Sequence, residues 1–131
     1  MPTIVSDIDD TILYNGIQPI KKTIDFLKQN SSKYKVVLIT ARPEAKRDST
    51  VSALRKAGVS YDRLMMNNVG PSQRDGLESK KKNISSLGKV VLAIDNDADV
   101  RSLYSSLGIK AISPSKLSAN LLTKRFWQGI I

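Results

Sequence analysis

The sequence predicts an α/β fold built on a parallel sheet, and three observations predict it. Short apolar runs rich in β-branched residues recur five times, segments with helical spacing separate them, and polar groups gather where several runs end. Strands alternating with helices imply crossover connections and a sheet covered on both faces. In an open sheet of this kind, ligands bind beyond the carboxyl ends of the strands.

Residues 3–9 read as the first strand, with Ile4-Val5 at its centre. Ile20, Ile24 and Leu27 recur at helical spacing, so 19–30 reads as a helix with Pro19 near its first turn. Val36-Val37-Leu38-Ile39 is a second buried strand, ending at Thr40-Ala41-Arg42. A helix over 44–57 follows, and Gly58 is its stop signal. Residues 63–66 form a short third strand, and 69–78, with Gly70, Pro71 and Gly76, read as a loop. A short helix covers 80–87 and ends before Gly88. The fourth strand is 90–95, a helix over 98–107 stops at Gly108, and 110–113 is the fifth strand. The tail over 115–129 reads as a last helix that docks Phe126 and Trp127 on the body.

The length of 131 residues suits one domain with one core, and 40% hydrophobic residues is ordinary for a globular chain. No apolar run approaches the roughly 20 residues of a membrane span, and no leader pattern opens the chain. Cysteine and histidine are both absent. Disulfides, thiolate metal sites, a Ser-His triad and His-ligated zinc are therefore excluded. Any acid–base chemistry must come from carboxylates, Lys, Tyr or water. The expected location is intracellular, in the cytoplasm. The net charge of +9 suits a polyanionic partner such as nucleic acid, or simply a Lys-rich soluble surface.

The chemistry lies at the strand ends. Asp7-Ile8-Asp9-Asp10-Thr11 closes the first strand, Thr40 the second, and Asp95 the fourth, with Asp97 and Asp99 just beyond. Crowded carboxylates repel one another, and a hard divalent cation such as Mg²⁺ is the usual remedy. The alternative is an acidic loop that caps a helix. Phosphoryl transfer through an aspartyl-phosphate needs this kind of set. Asp7 fits the nucleophile. Asp9, two residues on and on the same strand face, fits the acid–base. The Thr40 hydroxyl can donate to a phosphoryl oxygen. A Lys from Lys80-Lys81-Lys82 can offset charge. Lys80 lies nearly on the helix face of Ile84 and Leu87 and is the first choice, with Lys81 the second and a candidate substrate contact. Asp95, with Asp7 and the Asp9 carbonyl, can hold Mg²⁺.

These residues resemble the haloacid dehalogenase superfamily of phosphohydrolases. Its first motif, Asp-x-Asp-x-Thr after an apolar strand, is matched at residues 7–11. Its second is matched by the run ending at Thr40, its third by the Lys segment, and its fourth by Asp95-Asn96-Asp97-Ala98-Asp99. The resemblance spans about residues 3–113. It implies a Rossmann-like three-layer α/β/α sandwich with a five-stranded parallel sheet, Mg²⁺ dependence, and a metal set of Asp7, Asp9, Asp95 and Asp99. Asp99 would act through metal-bound water, while Asp97 is an alternative or the N-cap of the next helix. Asp10 stands where the family often has Gly.

Many members of that superfamily carry a cap domain, for which neither gap in this chain has room. An open site suits a phosphate on a large molecule, or a lid from a second subunit. Ile39-Thr40-Ala41-Arg42-Pro43-Glu44, Leu54-x-x-x-Gly58-Val59, Asp62-x-Leu64-Met65-Met66, Arg74-Asp75 and Ala93-Ile94-Asp95-Asn96-Asp97 are similar to the phosphatase domain of polynucleotide kinase–phosphatases, which often have two adjacent Asp where this chain has Asp95-Asn96. That likeness implies a 3′-phosphatase acting on nucleic-acid or nucleotide ends. Arg42 and Arg74 are candidate substrate contacts, or else surface ion pairs. The competing readings are a phosphatase for a small metabolite, a non-catalytic basic nucleic-acid-binding module, and a two-component receiver domain. The receiver puts its phosphorylated Asp after a later strand, and 5% aromatic residues are few for a base-stacking surface.

Overall fold

The computed structural model describes residues 1–122. The chain runs β1 (Thr3–Ser6), β2 (Leu13–Tyr14), β3 (Gln18–Pro19), α1 (Lys21–Asn30), β4 (Lys35–Pro43), α2 (Arg47–Lys56), β5 (Arg63–Asn67), α3 (Gln73–Ser85), β6 (Val90–Ile94), α4 (Ala98–Ser106) and β7 (Ala111–Ile112). Five strands form one parallel sheet in the order β5-β4-β1-β6-β7, and β2 and β3 form a separate small hairpin. The fold is a Rossmann-like three-layer α/β sandwich, and its parallel sheet has both faces covered as the alternating pattern predicts.

Side-chain alternation along the strands explains the layers, because successive residues point to opposite faces. Ile4, Val36, Leu38, Leu64, Leu92 and Ile94 pack with Ile24, Phe26 and Leu27 of α1 and Leu54 of α2. The intervening Val5, Val37, Ile39, Met65 and Ala93 pack with Ile84 of α3 and Val100 and Tyr104 of α4. The central strands are buried on both faces, which is why they read as unbroken apolar runs.

Several expected boundaries shift. The first strand pairs only over Thr3–Ser6, because the chain turns sharply after Asp7. The Ile8 carbonyl accepts from the backbone N–H groups of Thr11, Ile12 and Leu13, and Asp10 sits at φ 58°. That left-handed backbone costs Gly nothing sterically and Asp little, which is why Asp can stand at this place. Pro19 belongs to the hairpin, which the sequence reading did not expect, and α1 starts two residues later. The segment over 44–57 begins as a single 3₁₀ turn, Glu44–Lys46, before α2. The largest correction is α3. The expected loop over 69–78 becomes helical from Gln73. Ser72 Oγ accepts from the Asp75 N–H, and Asp75 returns a bond to the Ser72 N–H, a capping box that outweighs Gly76. Phe126 and Trp127 lie outside the described residues; within them, 115–129 shows a 3₁₀ turn, Pro114–Lys116, and a helical start at residues 121–122.

Between β1 and α1 there is only the short hairpin, so no cap domain enters there. Among the described residues no helix is long and apolar enough to cross a membrane.

Candidate active site

The carboxyl ends of β1, β4 and β6 lie side by side at the middle of the sheet. The Asp7 N–H donates to the Ile94 carbonyl at 2.9 Å, and the Asp95 N–H donates to the Ile112 carbonyl at 3.0 Å. The two acids therefore leave neighbouring strands at the same level. Thr40 lies two residues beyond the last β1–β4 pair, Ser6 with Leu38, at the same sheet edge. It is fully buried, and its Oγ1 accepts from the Arg42 N–H.

Lys80 reaches this edge from α3. Its neighbours Lys81 and Lys82 are exposed, while Lys80 is 4% exposed. The ammonium donates to Asp7 Oδ1 at 3.1 Å and to Asp95 Oδ2 at 2.7 Å. Two buried carboxylates thus share one cation. The Asp7 carboxyl is pushed up to about 7, first by burial, against the pull of Lys80 and with help from Asp95. Burial works to lower the Lys80 ammonium, but Asp7 and Asp95 prevail and hold it above its ordinary value, so it stays charged at neutral pH.

Thr11 and Asn96 complete the cluster. Thr11 Oγ1 donates to Asp7 Oδ2 at 3.3 Å and accepts from the Asn96 N–H at 3.2 Å. Turned so that its nitrogen faces inward, the Asn96 side-chain amide donates to Asp7 Oδ2 at 2.9 Å and to the Asp9 carbonyl at 3.0 Å. On the outer side, Arg101 of α4 donates to the Asp95 carbonyl at 2.9 Å. Thr11 and Asn96 each carry a sequence signal with no role attached, Thr11 as the Thr of the Asp-x-Asp-x-Thr motif and Asn96 where the resembling domains often have a second Asp, while Arg101 carries none.

The expected metal set of Asp7, Asp95 and the Asp9 carbonyl, with Asp99 acting through water, meets at the sheet edge only in part. Among the described residues no three acidic side chains converge as a metal cluster. Lys80 sits between Asp7 and Asp95. Asp95 has both oxygens engaged, Oδ2 with Lys80 and Oδ1 with the Asp97 N–H. The Asp9 carboxylate turns to Arg42, which grips it through Nε at 3.0 Å and Nη2 at 2.7 Å. Arg42 is also bonded to Thr50 Oγ1, so of its two expected roles it takes the ion pair. Asp99 is exposed in the first turn of α4, whose N-cap is Asp97, accepting from the Asp99 N–H. Arg74 and Lys81 are exposed on α3.

A cation still has a place that suits it. Asp7 Oδ2 and the Asp9 carbonyl both face the Asn96 amide, which can turn its own oxygen to the same spot. Three hard oxygen donors, beside two buried carboxylates that share a single ammonium, match the chemistry of Mg²⁺.

No protein-family model matches the chain, and no curated protein matches it. Solved structures of the Pnkp1/Rnl/Hen1 RNA repair complex contain similar chains. One matches with a TM-score of 0.69 and 22% identity over 86% of this chain and 42% of the other. A second matches with a TM-score of 0.71 and 22% identity over 86% of this chain and 44% of the other. This chain therefore spans less than half the length of those it resembles, and at this identity the likeness shows the shared fold.

Proposed function

We propose that the chain is a phosphohydrolase of haloacid dehalogenase type that removes a phosphomonoester through an aspartyl-phosphate on Asp7, with nucleic-acid or nucleotide ends as its substrates. The observation that carries this reading is Lys80, buried and bonded to both Asp7 and Asp95 at the ligand-binding edge of the sheet. The fold shared with chains of an RNA repair complex and the net charge of +9 support the choice of substrate.

The Asp7 carboxylate attacks phosphorus, and the bond from phosphorus to the leaving oxygen breaks. Asp9, once it has left its ion pair with Arg42 and taken up a proton from solvent, gives that proton to the leaving oxygen. Asp9 then takes a proton from water, the water oxygen attacks phosphorus, and the Asp7–phosphorus bond breaks, restoring both groups. To reach the leaving oxygen, Asp9 must rotate out of its grip on Arg42. Lys80 holds Asp7 in place and offsets charge as it builds on the phosphoryl oxygens. The Thr40 hydroxyl donates to one of those oxygens. Asp7, the Asp9 carbonyl and Asn96 would hold Mg²⁺, which supplies the charge neutralisation that phosphoryl transfer needs.

Release of inorganic phosphate from an aryl phosphate, and from 3′- and 5′-phosphorylated oligonucleotides, tests this. The expected result is Mg²⁺-dependent turnover that Asp7→Asn abolishes. Undiminished turnover in Asp7→Asn removes Asp7 as nucleophile. Oligonucleotide binding with no release from any substrate indicates the non-catalytic binding module instead.

A further inference from the structure

The strand that carries Thr40 and the helix that carries Lys80 meet at one tight contact. A Cβ built on Gly76 of α3 would stand 3.2 Å from the Ala41 Cβ at the end of β4, and it would meet no other atom outside its own helix within 4 Å. We infer that Gly76 and Asn67 are positioning residues that set the distance between α3 and the end of β4, and so hold the Lys80 ammonium across Asp7 and Asp95. The catalytic consequence rests on the phosphatase reading above.

The end of β4 leaves the regular ladder. β4 takes four steps from Ile39 to Pro43, while its partner β5 takes two from Met65 to Asn67. Thr40, Ala41 and Arg42 thus form a bulge, a feature that re-aims side chains beside a site. Asn67 ties this bulge down. It ends β5 and is 5% exposed. Its Nδ2 donates to the Ala41 carbonyl at 3.2 Å and to the Gly70 carbonyl at 2.8 Å. Its Oδ1 accepts from the Val69 N–H at 2.8 Å and the Gly70 N–H at 3.4 Å. The whole bonding capacity of the amide is spent. It joins the end of β4 to the turn that leads into α3, and so limits how far the helix can stand from the strand.

Gly76 sets the opposite limit. It is buried in the first turn of α3, with its N–H bonded to the Ser72 carbonyl at 3.0 Å. Gly is less favourable than Ala inside a helix, and no positive φ asks for Gly here. What Gly supplies is the missing methyl at the contact. A clash between two Cβ atoms has no rotamer to relieve it, because backbone fixes both, so one element must move. The end of β4 is the one held in place. Thr40 is fully buried, Arg42 is bonded to Asp9 and Thr50, and Asn67 grips the Ala41 carbonyl. α3 therefore yields, by a few tenths of an ångström. Lys80 lies one turn beyond Gly76 on the same face and moves with it. Its bond to Asp7, at 3.1 Å, is already near the long end of the usual range.

The test takes kcat and KM for an aryl phosphate, together with crystal structures, in the wild-type chain, Gly76→Ala, Ala41→Gly, the double variant and Asn67→Asp. In Gly76→Ala the Lys80–Asp95 distance should lengthen from 2.7 Å, and kcat should fall about tenfold with KM within about twofold, since a small misplacement of a catalytic group acts on the chemical step. Ala41→Gly alone should resemble the wild type. In the double variant it should restore both the distance and kcat, because it removes a methyl from the other side of the same contact. A merely structural loss would not be repaired by a second Gly in a strand. Asn67→Asp keeps the shape and loses both donors, so kcat should fall. An unmoved Lys80 in Gly76→Ala, or a loss that Ala41→Gly leaves unrepaired, overturns the role of Gly76. Full activity in Asn67→Asp overturns that of Asn67. If the wild-type chain releases no phosphate, the phosphatase reading fails, and the Lys80–Asp95 distances in the crystals decide the spacing role by themselves.

Discussion

The Lys80 ammonium stands 2.7 Å from Asp95 Oδ2, with the two side chains 5% and 1% exposed. Removing one partner of such a pair strands a buried charge and costs about 3–5 kcal/mol. Lys80→Met should lower unfolding free energy by that order in urea titrations. Adding Asp95→Asn should recover part of the loss, because the stranded charge is gone. Equal losses in the single and double variants would show that the two groups are not coupled.

Asp7 makes stability depend on pH in an unusual direction. Its carboxyl moves from 3.8 up to about 7 on folding, so between those values the folded chain binds more protons than the unfolded one. Stability therefore falls as pH rises through this window. Asp7→Asn, always neutral, should flatten that part of the profile while it removes turnover. A metal-free wild-type chain equally stable at pH 5 and pH 7.5 would contradict the placement of Asp7.

Both oxygens of Asp9 rest on Arg42. If Asp9 leaves that grip to protonate the departing oxygen, Asp9→Asn should slow alkyl phosphates far more than nitrophenyl phosphate, whose leaving group needs no proton. A uniform loss across leaving groups would reduce Asp9 to the partner of Arg42.

Asn96 faces Asp7 Oδ2 and the Asp9 carbonyl with a neutral amide. Asn96→Asp adds a negative donor, and the chain should then bind Mn²⁺ about tenfold more tightly in a calorimetric or spin-resonance titration. Chelation with EDTA should stop turnover in both proteins. Unchanged Mn²⁺ affinity would place the ion elsewhere.

Ser72 starts the helix that carries Lys80. Ser72→Ala should cost about 1 kcal/mol, the usual value of an N-cap. Hydrogen exchange should rise at residues 73–76 first. An unaltered exchange pattern there would mean that the cap does not hold α3.

The sequence alone determined the layers and the identity of the central acids. Alternation of apolar residues sets which face of each strand is buried, and strand ends in a parallel sheet share an edge, so Asp7, Thr40 and Asp95 were legible as neighbours in space. Helical spacing to Ile84 also placed Lys80 inward, ahead of Lys81 and Lys82. Partner choice was decided only by tertiary structure. Whether Asp9 meets Arg42 or a shared ion, whether Asp95 spends its oxygens on Lys80 and the Asp97 N–H, and whether Asn96 turns toward Asp7 depend on side-chain directions and on distances of a few ångströms. Periodicity carries no information at that scale. The start of α3 was lost for a related reason: Gly70, Pro71 and Gly76 signal a loop one residue at a time, whereas the capping box of Ser72 and Asp75 stabilises the helix as a pair.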